Sequence, residues 1–222
     1  MKAPGKVYDL SQPTFHNAPQ WPEYEPTVVN LRYTIAFNGF NAERLELTTH
    51  SGTHMDVPFH FIQDGATIDR MPLEHLMGPM TILDLTGKEP ESVISIADLE
   101  RFGETVAADE IVLIKTGWGL KRASSEEYLK KWPYLDQSAA EYLVSRNVRG
   151  VGTDGLSIGG IGDYARSRAP HIPLLKAGKF IIEDMRIPDD LATNKRYFLC
   201  AFPILLKGAG AAWVRPVAWE LA

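Results

Sequence analysis

The sequence predicts an α/β domain built on a mixed sheet, and two observations point there. Short apolar or β-branched runs, each closed by a charge or a glycine, have the length and composition of buried strands. Between them lie four candidate helical segments, two of which open on a capping residue, Ser95 or Asp136. Strands outnumber helices, and the two interleave along the chain.

In chain order, "RLELTTH" (44–50) sets Leu45, Leu47 and Thr49 against Arg44, Glu46 and Thr48, a strand period of two. "MTILDL" (80–85) reads as a buried strand. Ser95 ahead of "IADLERF", with Asp98 three positions on, has the form of a capping box and predicts a helix. "EIVLIKT" (110–116) is a second buried strand. "SSEEYLKKW" (124–132) is a helix stopped by Pro133, because proline offers no amide hydrogen and crowds the preceding turn. "DQSAAEYLVSRN" (136–147) is a helix capped by Asp136 and ended at Asn147. "NVRGVGTDG" (147–155) is a short strand entering a glycine turn. "IPLLKAG" (172–178) is a short helix ended by Gly178, and "KFIIED" (179–184) is another buried strand. The C-terminal "WVRPVAWELA" (213–222) carries apolar residues for a final strand or an interface.

The 222 residues show no repeat, low-complexity tract or linker, so one domain over 1–222 is expected. Apolar residues at 45% and charged residues at 23% are those of a soluble globular chain. With a formal charge of −5 and no Lys/Arg run longer than two, neither nucleic acid nor an acidic membrane is an expected partner. The single cysteine, Cys200, excludes an intrachain disulfide; within "YFLCAF" it reads as a buried structural thiol. The start lacks the apolar core of a signal peptide and no apolar run spans a membrane, so a cytoplasmic location is expected.

"HSGTHMDVPFHF" (50–61) packs His50, His54, Asp56 and His60 into eleven residues. A helix would put His50 and His54 on one face and Asp56 and His60 on another, and Gly52 and Pro58 would weaken it. An extended chain sends every second side chain the same way, gathering all four groups into one row. Pro58 would end the strand, so that His60 reaches in from a bend. Imidazole and carboxylate ligands suit Zn²⁺, Mn²⁺ or Fe²⁺, and three protein ligands plus water is a catalytic rather than a structural arrangement. Among the other histidines, His16 lies near the N-terminus and His75 sits in an apolar helix or loop and reads as structural. His171 stands beside turn residues, twelve positions before Glu183. A carboxylate closing an apolar strand must be paired or bind a metal, and the residues alone leave both open for Glu183.

The same stretch resembles the signature of the cyclase-like metal-dependent hydrolases, a group that includes bacterial kynurenine formamidase and isatin hydrolase. "IKTGW" (114–118), "GTDGLSI" (152–158) and "HIPLLKAGKFIIE" (171–183) resemble further motifs in the same order, so the likeness runs from about residue 45 to residue 185. The resemblance implies a swivelling β/β/α fold, assembly as a homodimer or homotetramer, and one or two Zn²⁺ or Mn²⁺ ions per subunit. It implies that His50, His54 and Asp56 bind a first metal, that Asp56, His171 and Glu183 bind a second, and that His60 is the catalytic base and acid. It also implies hydrolysis of an amide or lactam C–N bond in a small aromatic or cyclic substrate by a metal-activated water. N-formylkynurenine is the first expectation; isatin, or another cyclic amide, imide or lactone, is the alternative. The chain departs from the formamidase pattern at "WPEYEP" (21–26), where a "WPGD"-like stretch is usual, and at "GLSIGGIGDYARSRAP" (155–170). Trp21, Tyr24, Phe37, Phe59 and Trp118 are candidates to line a pocket for a flat substrate.

Two rival readings remain. His54, Asp56 and His171 would also serve as the two-histidine, one-carboxylate set of a non-haem iron oxygenase. A binding protein could keep the metal pocket without turnover, although no proposed ligand is missing from the sequence.

Overall fold

The structure, a computed structural model, describes residues 5–221. Thirteen strands are described: β1 (Val7–Asp9), β2 (Val28–Tyr33), β3 (Ala42–Glu46), β4 (His54–Asp56), β5 (Met77–Asp84), β6 (Val93–Ile94), β7 (Ile111–Lys115), β8 (Tyr134–Leu135), β9 (Gly150–Thr153), β10 (Phe180–Glu183), β11 (Tyr197–Cys200), β12 (Ala211–Trp213) and β13 (Val217–Glu220). Six short helices accompany them: α1 (Ile35–Asn38), α2 (Ile96–Glu100), α3 (Glu126–Lys130), α4 (Gln137–Ser145), α5 (Tyr164–Ser167) and α6 (His171–Lys176).

Nine strands form one sheet in the order β1-β13-β11-β5-β7-β9-β10-β4-β12. Its centre, β5 to β10, is parallel, and antiparallel strands extend it at both ends. Parallel strands are packed on both faces, which is why their sequences read as continuous apolar runs rather than alternating ones. In β7, Ile111 and Leu113 join one core while Val112 and Ile114 join another. The second core lies under α2, α4 and α6, through Leu99, Ala139, Leu143, Leu174 and Leu175. The first core contains Leu199, Ala218 and Ala212, from strands near opposite ends of the sheet, so the sheet curls over it.

Local signals hold where they rest on cap chemistry. Asp98 accepts the Ser95 amide at 2.8 Å, closing the expected box on α2. Asp136 accepts the Ala139 amide at 2.8 Å on α4, and Asn147 stops that helix with a φ of 53°. The alternation of "RLELTTH" is realised differently. Only Ala42–Glu46 is strand; it pairs with β2 outside the main sheet, with Leu45 opposite Val29, and leaves Leu45 exposed, as Leu31 and Phe37 are. Cys200 is half-buried at the end of β11 rather than fully enclosed. No helix among the described residues is long and apolar enough to cross a membrane.

Gly150, where β9 begins beside β10, has the Phe180 ring against its Cα, and an added methyl would overlap that ring. Overpacking of this kind costs about 1–3 kcal/mol. Gly150→Ala is expected to lower the urea midpoint with the m-value unchanged; an unshifted midpoint would mean that the ring relaxes freely.

Candidate metal centre

Two residues that break regular structure shape the site. Gly52 takes a left-handed backbone, with φ of +64°, where a side chain would be strained. The chain turns there, so His50 approaches from a turn. The extended row expected over 50–60 is therefore confined to β4, in which His54 and Asp56 face the site while Met55 enters the core. Pro58 ends the strand and opens a single 3₁₀ turn, Pro58–His60, which swings His60 back, as the bend at the proline suggested. The two ends of the segment converge until the rings of His50 and His60 lie 4.0 Å apart.

The remaining groups arrive from the second half of the chain. β10 runs antiparallel to β4 with Glu183 directly opposite His54, which puts both side chains on one face. His171 opens α6. Asp56 lies at the centre, with His50 Nδ1 2.8 Å and His54 Nε2 3.4 Å from Oδ1, and with His60 Nε2 3.8 Å and His171 Nε2 4.0 Å from Oδ2. Glu183 spans the far side: Oε2 is 3.5 Å from His54 Nε2 and Oε1 is 3.1 Å from His171 Nε2. All six side chains singled out in the sequence meet here, whereas His75 and His16 lie elsewhere on the surface.

Electrostatics keep the acids ionised. Burial pushes Asp56 up, but the imidazoles of His60, His50 and His54 outweigh it and hold the carboxyl well below its usual range. For Glu183, burial and the neighbouring Asp56 push upward, while His171 and His54 bring it down to about 2. Burial lowers His60 to about 4 despite the pull of Asp56, so its ring is neutral near pH 7.

The donor set fits a divalent cation. Neither oxygen of Asp56 accepts an aligned hydrogen bond, and His54 Nε2 has no partner, although all three atoms are buried. Unpartnered buried polar atoms are costly, and a shared cation would satisfy these together. The other nitrogen of His54 is engaged: Nδ1 lies 2.9 Å from the Gly52 carbonyl, which sets the tautomer that aims a lone pair from Nε2 into the cluster. Glu183 Oε1 is oriented by Ser157 Oγ at 2.9 Å and by the Ile158 amide at 2.6 Å. Two triads have donor atoms within 4.8 Å of one another, His54/Asp56/Glu183 and His50/Asp56/His60. Asp56 belongs to both, so the set has room for one cation or for two sharing that carboxylate.

A cavity of about 570 Å³ opens above the cluster, with His50, His60, His171 and Glu183 on its floor. Trp21, Tyr24 and Phe61 supply aromatic wall, and Glu23, Tyr164 and Arg168 stand in its polar part. Of the five aromatic candidates, Trp21 and Tyr24 are there. Phe37 and Phe59 point to solvent at 90% and 42% exposure, and Trp118 is buried in a separate aromatic core. The sequence reading missed Phe61, Ser157, Tyr164 and Arg168 as individual residues. The two stretches that depart from the formamidase pattern, 21–26 and 155–170, are the ones that supply most of this wall.

Known proteins share this sequence and shape. The cyclase family, described as "Putative cyclase", matches residues 8–159. A kynurenine formamidase of Bacillus cereus is 30% identical over 210 residues, covering 94% of this chain and 95% of its own. A solved structure described as a potential metal-dependent hydrolase with cyclase activity superposes with a TM-score of 0.80 at 30% identity, covering 98% of each chain. Isatin hydrolase A from Ralstonia solanacearum superposes with a TM-score of 0.86 at 22% identity, covering 96% of this chain and 91% of that one; at that identity the likeness is one of fold.

Proposed function

The chain belongs to the cyclase family, and from that membership we propose that it is a metal-dependent amidohydrolase that removes the formyl group of an N-formylated aryl amine bearing an amino-acid tail, as in N-formylkynurenine. The observation that carries this reading is the convergence of four imidazoles and two carboxylates at the base of one aromatic-walled cavity, with His50, His60, His171 and Glu183 on its floor and His54 and Asp56 buried in the same cluster. His50, His54, Asp56, His171 and Glu183 would hold one or two Zn²⁺ or Mn²⁺ ions. Such a cation supplies Lewis acidity, lowering the pKa of water and polarising the carbonyl.

The chain's own residues do the rest. Trp21, Tyr24 and Phe61 take up the aryl ring and keep bulk water from it. His60, on the floor of the cavity, accepts the proton of the attacking water as the new C–O bond forms. It returns that proton to the departing nitrogen as the C–N bond breaks, giving formate and the free amine. Its neutral state near pH 7 suits the first step. Glu23 and Arg168, of opposite charge, match the ammonium and carboxylate of an amino-acid tail. The Arg168 guanidinium has no ion-pair partner among the described residues.

The test is hydrolysis of N-formylkynurenine and of isatin by protein loaded separately with Zn²⁺ and Mn²⁺. We expect kcat/KM above roughly 10⁴ M⁻¹s⁻¹ for N-formylkynurenine. Arg168→Ala should raise KM for that substrate by roughly tenfold, the worth of one charge-assisted hydrogen bond, and should leave any isatin hydrolysis alone. A negligible rate on N-formylkynurenine together with opening of isatin would replace this assignment with a cyclic-amide hydrolase. The unusual sequence of the wall segments 21–26 and 155–170 keeps that second reading in view.

A further inference from the structure

The segment from Pro13 to Thr27 has no regular secondary structure, yet it places Trp21, Glu23 and Tyr24 on the cavity wall. A buried arginine fastens it. Arg122 Nη1 donates to the Pro13 carbonyl at 2.7 Å, and Nη2 donates to the Pro19 carbonyl at 2.9 Å and to Asp184 Oδ2 at 3.1 Å. Only 8% of its side chain is exposed. Asp184 adjoins Glu183 and is itself held, with Tyr128 Oη donating to Oδ1 at 3.1 Å and Thr53 Oγ1 donating to its carbonyl at 2.6 Å. One guanidinium thus joins the strap to the strand end that carries Glu183.

The strap is also braced by contacts within itself and by one ring on the body of the domain. The Thr27 hydroxyl donates to Gln20 Oε1 at 2.8 Å, and the Asn17 amide donates to the Thr27 carbonyl at 2.8 Å. Trp21 packs edge-on against Trp132, with ring centroids 5.8 Å apart. The segment is thus braced within itself and tied to the body of the domain by Arg122 at Pro13 and Pro19.

We propose that Arg122 is a positioning residue: it sets where Trp21, Glu23 and Tyr24 stand above the metal-binding floor, and so governs capture of the substrate. This rests on the reading of the cavity as the substrate site. A planar fork reaches three acceptors at once, whereas a lysine at the same place offers a compact point charge.

The test uses metal-loaded Arg122→Lys and Arg122→Gln. Quenching of Trp21 fluorescence by acrylamide is read as the difference between each protein and its Trp21→Phe counterpart. We expect Trp21 to become more accessible in both variants, more so with glutamine, at unchanged metal content. KM should rise by roughly tenfold or more, the scale of a misplaced positioning group. kcat should stay within a factor of about three, the split expected when binding rather than chemistry is lost. Unchanged Trp21 quenching overturns the proposal. So does a joint loss of metal and kcat, which would make Arg122 only a prop for Glu183. Should the glutamine variant not fold, the lysine variant, which keeps a cation beside Asp184, decides the matter. The quenching needs no substrate, so failure to hydrolyse any test amide would sink the proposed function and still leave Arg122 to be judged.

Discussion

His60→Ala is expected to keep its metal and lose kcat by roughly 10²–10⁴-fold, the usual contribution of a positioned acid–base group. The geometry separates His60 from the other imidazoles. Its Nε2 is 3.8 Å from Asp56 Oδ2, while the nearest donors of His50 and His171 come within 2.8 Å and 3.1 Å of a carboxylate oxygen. Its ring lies tilted against those of His50 and Phe61, with centroids 4.0 Å from each, and it lines the cavity. Removing it therefore takes away a proton carrier and leaves five donors behind. Metal analysis of the purified variant with single-turnover kinetics on the same sample provides the check. Loss of metal in step with activity would make His60 a ligand, as its place in one of the two donor triads allows.

Asp56→Asn should have the larger effect on the metal. Both carboxylate oxygens are buried, without aligned hydrogen bonds, and each faces two imidazoles. An amide keeps the volume but replaces one acceptor with a donor and removes the charge. Affinity should fall by more than the roughly 10–100-fold typical of changes to groups that merely orient ligands. Thermal unfolding reads this directly. A cation at a hundred times its Kd stabilises the folded state by about 2.7 kcal/mol. Wild type should show that gain as a raised Tm in Zn²⁺ or Mn²⁺, and Asp56→Asn should show none at the same concentration. An equal rise in both would remove Asp56 from the ligand set.

The parts of the fold that can be read in the sequence are those whose neighbours are uniform. β5, β7 and β10 are covered on both faces, helices α2 and α4 announce themselves through the caps Ser95 and Asp136, and α3 through the stop at Pro133. Strands β1 and β12 carry no such pattern, because three residues at a sheet edge hold no period. At the site, His50, His54, Asp56 and His60 stand out through residue type and spacing, whereas His171 and Glu183 are singled out by the family resemblance, the residues alone leaving Glu183 open. How they meet does not, because it depends on the left-handed turn at Gly52 and on register between strands far apart in sequence. The cavity wall was hardest to read. Tyr164 and Arg168 lie in a glycine-rich loop without periodicity, and Phe37 and Phe59 look no different in sequence from Phe61, yet only Phe61 faces inward.

The position of β4 also sets when the centre can exist. His54 pairs across to Glu183 on one side and to Trp213 on the other, so both hydrogen-bonded neighbours of the strand bearing the histidine–aspartate pair lie more than a hundred residues further along the chain. Such long-range pairing forms late and slowly. His50, His54, Asp56 and His60 lie more than a hundred residues ahead of His171 and Glu183, so the six donors come together only through this distant pairing. A cation held by the full donor set would therefore be gripped only once β10 has docked on β4, a step that residues 50–60 cannot take by themselves.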